Sequence, residues 1–172
     1  MPLYALANRE PTIHPTAFVH PDAVLIGGVH IGEMASVWPC AVLRADTADI
    51  HVGARTSIQD GSVIHVGGLT PTLIGDDCVI GHLVHMEGCV IESGTLIGSN
   101  SVVLPGAIVR TGAIVAAGAV VSAGAEVPSG ALAVGIPAKF KLDAAKADVI
   151  SSAAQAYVDR VPMYVDSLRR IS

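Results

Sequence analysis

The chain has 172 residues and a formal net charge of −5, with 15% charged side chains and only 3% aromatic ones. Because no cluster of basic residues is present, we do not expect nucleic acid or an anionic membrane as a partner. The mean hydropathy is +0.58, but no apolar run reaches the roughly 18 residues of a membrane span and the N-terminus lacks a basic-then-apolar leader, which predicts a cytoplasmic protein.

An aliphatic residue recurs every six positions from Ile13 to Val127, and this repeat predicts the fold. Three extra residues follow Leu43, four follow Ile64, and one is deleted between Met86 and Ile91. A regular period with local insertions is typical of a solenoid whose loops bulge from one corner. The repeat positions are Ile13, Val19, Leu25, Ile31, Val37, Leu43, Val52, Ile58, Ile64, Ile74, Ile80, Met86, Ile91, Ile97, Val103, Val109, Val115, Val121 and Val127.

A unit of six residues provides one short strand and one turn, which cannot bury an apolar side alone. Three units must therefore close into a triangular coil, and successive coils must stack through backbone hydrogen bonds. The sequence predicts an all-β solenoid, a parallel β-helix, over residues 1–140. The spacing does not define the hand of the coil, but the hexapeptide pattern resembles left-handed β-helices, so we expect that hand.

The pattern stops after Val127, where prolines and glycines lead the chain out of the coil. Apolar residues then recur at intervals of three and four across residues 143–171, interrupted by Pro162. This spacing predicts a C-terminal α-helix within residues 141–172, kinked or split near Pro162 and packed on one face of the solenoid as part of a single domain. We interpret Trp38, Tyr157 and Tyr164 as packing residues.

Polar side chains follow several of the core aliphatic residues, and the register predicts how they stack. Arg44, His65 and Glu87 occupy one corner column on adjacent rungs, which are about 4.8 Å apart. Gln59 lies on the neighbouring corner, where Trp38 precedes it and Gly81 follows it in the column. One position later, Asp60 stacks on His82. His65 and Glu87 are therefore expected side by side, with His82 at a different corner.

Side chains that project from different corners of one prism diverge, so His82 cannot easily bind the same metal ion as His65 of the same chain. Three prisms around a threefold axis would bring one corner of each subunit against another corner of its neighbour. The sequence thus predicts a homotrimer with intersubunit metal sites. Two histidines and a carboxylate would form an open, zinc-type site with water in the remaining position.

Four segments resemble the γ-class carbonic anhydrases and their hexapeptide-repeat relatives over nearly the whole chain. Their motifs are specific in combination, although the last segment also occurs in hexapeptide acyltransferases. The segments are VLRAD (42–46), SIQDGSVIH (57–65), IGDDCVIGHLVHMEGC (74–89) and VGIPAK (134–139). The family's Arg-x-Asp, Gln-Asp and two metal-binding histidines are matched by Arg44, Asp46, Gln59, Asp60, His65 and His82.

The resemblance implies an enzyme, a carbonate dehydratase of the lyase class, which hydrates carbon dioxide reversibly to bicarbonate with a metal-bound hydroxide. The implied cofactor is Zn²⁺ or another divalent metal such as Fe²⁺, Co²⁺ or Ni²⁺. Gln59 would orient the hydroxide, and Arg44 and Asp60 would pair across the trimer interface, or would serve that interface in a purely structural role. The implied catalytic residues are Gln59, Arg44, Asp46, Asp60 and Glu87.

The sequence departs from the family at one metal ligand. The family places a third histidine five residues after the second, whereas this chain has Glu87 there. Either Glu87 ligates beside His65 and His82, which the stacking favours, or His85 from the same flank replaces it; a site with weak or no metal is the third possibility. A carboxylate ligand adds negative charge, so we expect lower activity than with three histidines.

Two other functions use the same solenoid. One is an acyl-CoA-dependent acyltransferase or thioesterase, which the short loops near Thr47 and at residues 67–70 disfavour. The other is a catalytically weak scaffold homologue, which the glutamate at position 87 favours. The remaining histidines, His14, His20, His30 and His51, are interpreted as surface residues. Cys78 and Cys89 each precede a core aliphatic residue by two positions, so we expect buried thiols and no disulfide framework.

Overall fold

The computed structural model describes residues 2–172, which form a parallel β-solenoid of about seven turns and one C-terminal helix. The strands are β1 Leu3–Tyr4, β2 Thr12–Ile13, β3 Phe18–Val19, β4 Val24–Ile31, β5 Ser36–Val37, β6 Val42–Val52, β7 Ser57–Ile58, β8 Val63–His65, β9 Thr72–Ile74, β10 Val79–Ile80, β11 His85–Glu87, β12 Val90–Ile91, β13 Leu96–Ile97, β14 Val102–Val103, β15 Ile108–Val109, β16 Ile114–Val115, β17 Val120–Val121, β18 Glu126–Val127, β19 Leu132–Val134 and β20 Lys139–Lys141. The helix is α1, Ala147–Ser167. The expected fold, a left-handed β-helix of hexapeptide repeats with a C-terminal helix, is confirmed.

The strands stack in parallel into three faces. The first face contains β1, the first halves of β4 and β6, and then β8, β11, β14 and β17. The second face contains β2, the second halves of β4 and β6, and then β9, β12, β15 and β18. The third face runs from β3 through β5, β7, β10, β13 and β16 to β19, which β20 joins in antiparallel orientation. Each rung hydrogen-bonds to the next, as the repeat predicts.

The core is the predicted aliphatic ladder. From Leu25 to Val127 every repeat position is at most 4% exposed. Small side chains two positions earlier in each unit also point inward; Cys78 is 0% and Cys89 1% exposed, so their predicted burial is confirmed. A core this narrow holds aliphatic and small residues, which explains the scarcity of aromatic side chains.

The insertion after Leu43 does not form the expected loop near Thr47. Instead β6 continues for 11 residues around the corner and pairs with β4 on both the first and second faces. The pairing register shifts between Gly27 and Val29, because residues 46–49 of β6 lie opposite Gly28 alone, so three extra residues bulge from β6. Gly27 has φ +75°, and a Cβ there would lie 2.2 Å from the Ala45 carbonyl oxygen, so this corner requires glycine. The insertion is thus a bulge within one continuous strand and not a separate loop.

The insertion after Ile64 does form the expected loop. Gly67 and Thr70 exchange backbone hydrogen bonds of 2.9 and 3.0 Å, and Leu69 at the tip is 87% exposed. The loop follows His65 directly, so it borders the predicted site.

The helix α1 packs on the third face, as predicted, through the buried Ile150 and Ala154. The helix is not split near Pro162, because Pro162 lies within one continuous helix. Trp38 is 2% exposed and its ring centroid lies 5.4 Å from that of Tyr157 and 4.9 Å from that of Tyr164. These three residues therefore pack as expected. No helix within residues 2–172 has the length and apolar character needed to cross a bilayer.

Candidate functional site

Arg44, His65 and Glu87 stand on successive rungs of the first face. In the strand register Arg44 of β6 pairs with His65 of β8, and His65 pairs with Glu87 of β11. Each follows a fully buried core residue, so the stacked core holds the three polar side chains at the end of the first face. The predicted column is confirmed.

Contacts with charged side chains orient His65. The His65 Nε2 nitrogen lies 2.9 Å from Asp46 Oδ2, and Arg44 forms an ion pair with the same carboxylate oxygen. The other ring nitrogen, Nδ1, faces Glu87 Oε1 at 3.7 Å. With Nε2–H donating to Asp46, the Nδ1 lone pair is directed towards Glu87 and is free to bind a cation.

His85 lies on the same flank as Glu87. Its Nε2 is 3.8 Å from Glu87 Oε2, and the two side chains are 42% and 33% exposed. Glu87 is thus between His65 and His85, at distances longer than a hydrogen bond from each. Both residues that the sequence offers as a third ligand are present at this corner.

His82 occupies the neighbouring corner with Asp60. The His82 Nδ1 nitrogen lies 3.0 Å from Asp60 Oδ2, and the half-exposed imidazole leaves Nε2 open to the outside. Within residues 2–172, His82 does not join His65 and Glu87 in a group of ligand atoms within 4.8 Å of one another. One chain therefore presents the His65 group and the His82 group on two separate corners.

Gln59 and Tyr157 lie on the side of the His82 corner. Gln59 is only 5% exposed and follows Ile58 in β7, one rung from Trp38. Burial raises the pKa of Tyr157. The positive charge of Arg160 lowers this pKa, and the nearby Asp60 carboxylate raises it. The helix therefore carries a tyrosine close to Asp60, and the six-residue repeat could not predict this proximity.

Three residues that were not predicted as a site also come together. His30, Asp49 and His51 present ligand atoms within 4.8 Å of one another on the second face. His51 is exposed and His30 partly exposed, so both are surface residues as expected, but the pairing of β4 with β6 stacks them, which the repeat did not predict. The available signal was their shared position, since each precedes a core aliphatic residue and a glycine. His20, by contrast, is buried, with 8% of its surface exposed, so its interpretation as a surface residue is wrong.

Known proteins show which family the chain is in. The crystal structure of a hexapeptide transferase family protein from Anaplasma phagocytophilum is 34% identical in sequence and superimposes with a TM-score of 0.90, with 95% of this chain and 98% of that chain covered. The chain belongs to the hexapeptide-repeat family. The family model for the bacterial transferase hexapeptide (six repeats) matches residues 71–104 and 88–123.

The relatives of this chain are named for two different activities. Gamma carbonic anhydrase 1, mitochondrial, from Arabidopsis thaliana is 43% identical over 94 residues, which are 51% of this chain and 34% of that protein. The match thus spans about a third of that relative's length. A putative acetyltransferase from Bacillus cereus is 32% identical with a TM-score of 0.92, and the alignment covers 96% of this chain and 98% of the other. The resemblance to γ-class carbonic anhydrases is confirmed, alongside a structural likeness to transferases.

Proposed function

We propose that this protein is a carbonic anhydrase-like enzyme that interconverts carbon dioxide and bicarbonate at metal sites between the subunits of a homotrimer. One observation carries the proposal: His65 and His82, on two different corners, each have one ring nitrogen within hydrogen-bonding distance of a carboxylate. The contacts are Asp46 with His65 at 2.9 Å and Asp60 with His82 at 3.0 Å. A histidine that binds a metal usually donates its second ring N–H to such a group, which fixes the tautomer and the ring orientation.

The donor set fits a divalent transition metal. His65 Nδ1 and Glu87 Oε1 are 3.7 Å apart, which two ligands of one ion can span since each bond is about 2.0–2.2 Å long. Zn²⁺, Fe²⁺, Co²⁺ and Ni²⁺ all accept imidazole and carboxylate ligands. The third protein ligand would be His82 of a neighbouring subunit, because the His82 of the same chain lies on another corner.

The first face supports an assembly of this kind. Its outward side chains form a mostly apolar row, and Val63 is 40% exposed. Towards the His82 corner, Leu83 is 58% exposed. Burying such a row against a second copy gains hydrophobic free energy and brings the corner of His65 towards the corner of His82. The outward residues of the row are Val42, Val63, His85, Val102 and Val120.

The chain's own residues have distinct roles in the proposed reaction. A bound divalent ion supplies the Lewis acidity that makes hydroxide available near neutral pH. Arg44 neutralises Asp46, and Asp46 holds the orientation of His65. Gln59 offers an amide to orient the attacking oxygen, and Asp60 holds His82. Glu87 adds a negative charge beside His65, which reduces that acidity and sets a lower rate than three neutral ligands would give.

The test is metal content together with carbon dioxide hydration in the wild type and in His65→Gln and His82→Gln. Each variant should lose the interfacial metal and reduce hydration by at least about 100-fold, because either change removes a ligand from every site. His14→Gln is the matched control, since His14 is exposed and contacts only Thr16 through its ring nitrogen, at 2.9 Å. Metal-free wild-type trimers, or unchanged hydration in both variants, would contradict the proposal.

The same assays identify the third ligand. If Glu87 binds the ion, Glu87→Gln lowers metal occupancy at this site while His85→Gln leaves it intact. The reverse result assigns the ligand to His85, which lies 3.8 Å from Glu87. We expect the first result, because Glu87 is the direct rung neighbour of His65.

A transferase is the second candidate, because the Bacillus cereus protein with a TM-score of 0.92 is a putative acetyltransferase. The two functions make different demands on the solenoid, since an acyltransferase binds a nucleotide-thioester donor. Calorimetric titration with acetyl-CoA therefore separates them. Binding at micromolar concentrations, undiminished in His65→Gln, would favour the transferase.

A further inference from the structure

The second face carries a cluster of ligand-type side chains that the proposed enzyme site does not use. His30 of β4 and His51 of β6 are direct register partners, and their rings stack with centroids 4.5 Å apart and planes 18° from parallel. Asp49 lies two residues before His51 on the same strand, so both side chains project from one side of β6. The atoms available for a cation all lie within 4.8 Å of one another.

The imidazole of His30 is oriented as a ligand. Its Nδ1 lies 2.7 Å from the Thr12 hydroxyl oxygen, which can accept the Nδ1–H. The opposite nitrogen, Nε2, then carries the lone pair and faces Asp49 Oδ2 at 3.9 Å. This separation exceeds a hydrogen bond, but it suits two atoms that each lie about 2.0–2.2 Å from a shared ion.

The position of the Asp49 carboxylate depends on the absence of a side chain at Gly28. A Cβ on Gly28 would lie 2.2 Å from Asp49 Oδ1, so any other residue at position 28 would displace the carboxylate. Arg9 pairs with Oδ1 and also reaches the Thr47 carbonyl oxygen at 3.2 Å. The contact with Arg9 leaves Oδ2 as the oxygen that faces His30.

We propose that His30, Asp49 and His51 form a second metal site, contained within one chain, that binds Zn²⁺ or a similar divalent transition metal. Two imidazoles and a carboxylate with water in the remaining position suit such an ion. The site is separate from the enzyme centre proposed above, because it lies on the second face and needs no neighbouring subunit. The two sites are connected through β6, which carries Arg44 and Asp46 towards one end and Asp49 and His51 towards the other.

The ion would act as a structural clamp at the open N-terminal end of the solenoid. The ligands come from two successive layers, His30 from β4 and Asp49 and His51 from β6, and Arg9 and Thr12 of the first coil contact those ligands. Within residues 2–172, β1 and β2 pair only with β4, so the ion would link layers near the first rungs of the ladder. An ion that binds only the folded chain stabilises it by mass action.

The test is Zn²⁺ binding in the His65→Gln background, from which the proposed interfacial metal is absent. That variant should bind one Zn²⁺ per chain by calorimetry and elemental analysis, and its melting temperature should rise with Zn²⁺. Adding His30→Gln or Asp49→Asn should weaken binding at least about 100-fold and abolish the rise. His14→Gln is the control, since His14 also has a threonine hydroxyl partner but lies outside the cluster.

A further variant keeps all three ligands. Thr12→Val removes the hydroxyl that orients His30 and should weaken Zn²⁺ binding by about 10-fold, the usual effect of losing such a partner. Stoichiometric Zn²⁺ binding that survives unchanged in both His30→Gln and Asp49→Asn would overturn the proposal, as would no Zn²⁺ binding in the His65→Gln parent. Failure of the enzyme proposal has another signature, namely that His65→Gln binds as much Zn²⁺ as the wild type.

Discussion

Individual carboxylates determine the ring orientation of His65 and His82. Asp46 and Asp60 each hold one ring nitrogen, at 2.9 Å on His65 and 3.0 Å on His82, and direct the other outward. Glu87 instead faces the free nitrogen of His65 at 3.7 Å. In the proposed metal site the same functional group therefore has two roles, orientation by Asp46 and Asp60 and ligation by Glu87.

The cysteines give a residue-scale prediction of reactivity. Burial raises the pKa of both inward-facing thiols, that of Cys89 to about 12, so neither forms a thiolate near pH 8. We expect Cys78 and Cys89 to resist a thiol-specific reagent in the native protein and to react fully after unfolding, as followed by mass spectrometry. Cys40→Ala removes the exposed thiol and isolates the two buried ones. Rapid labelling of Cys89 in the native Cys40→Ala variant would show that this part of the core opens.

At the scale of elements, the helix α1 closes the third face over an aromatic cluster. Trp38, the single tryptophan of the chain, donates its indole N–H to the Ser36 and Ser57 hydroxyls at 2.9 and 3.0 Å. Its ring packs against Tyr157 and Tyr164 of the helix. The polar edge of the indole is thus satisfied by the solenoid and its apolar surface by the helix, which anchors the two elements together.

Docking of the helix can be tested with a buried alanine and a nearby exposed one. Ala154 is 3% exposed against the third face, whereas Ala156 is exposed. Ala154→Arg should undock α1 at a cost of about 2 kcal/mol or more, because it buries a charge and removes Ile150 from its apolar contacts. Trp38 fluorescence should then move to longer wavelength while the β-sheet circular dichroism persists. Ala156→Arg should leave the emission unchanged, and an unshifted Ala154→Arg spectrum would refute this packing role.

The whole molecule has three faces with three different surroundings. The third face is covered by α1, and the second carries the His30, Asp49 and His51 cluster. The first face presents an uncovered row of valines between the corners of His65 and His82. Because an extended apolar row is costly in water, this arrangement favours association through the first face.

Two exposed residues with matched positions test which face associates. Val63 on the first face and Leu73 on the second are 40% and 38% exposed, and each directly precedes a buried isoleucine. If the proposed trimer associates through the first face, Val63→Lys should give monomers of 17.5 kDa in analytical ultracentrifugation and should release the proposed interfacial metal. Leu73→Lys should leave both unchanged. Trimers that persist in Val63→Lys at micromolar concentration would move the interface away from the first face.

The sequence by itself determined the solenoid, its core and the column of Arg44, His65 and Glu87, because a six-residue period defines which side chains point inward and which positions stack. It also placed His82 with Asp60 on another corner. Only the tertiary structure decided that the insertion near Thr47 is a bulge within the continuous strand β6, and that His30, Asp49 and His51 meet. It also revealed that Asp46 holds His65 and that Tyr157 lies near Asp60. Such contacts depend on how an irregular segment or a separate helix packs, which a local repeat does not encode.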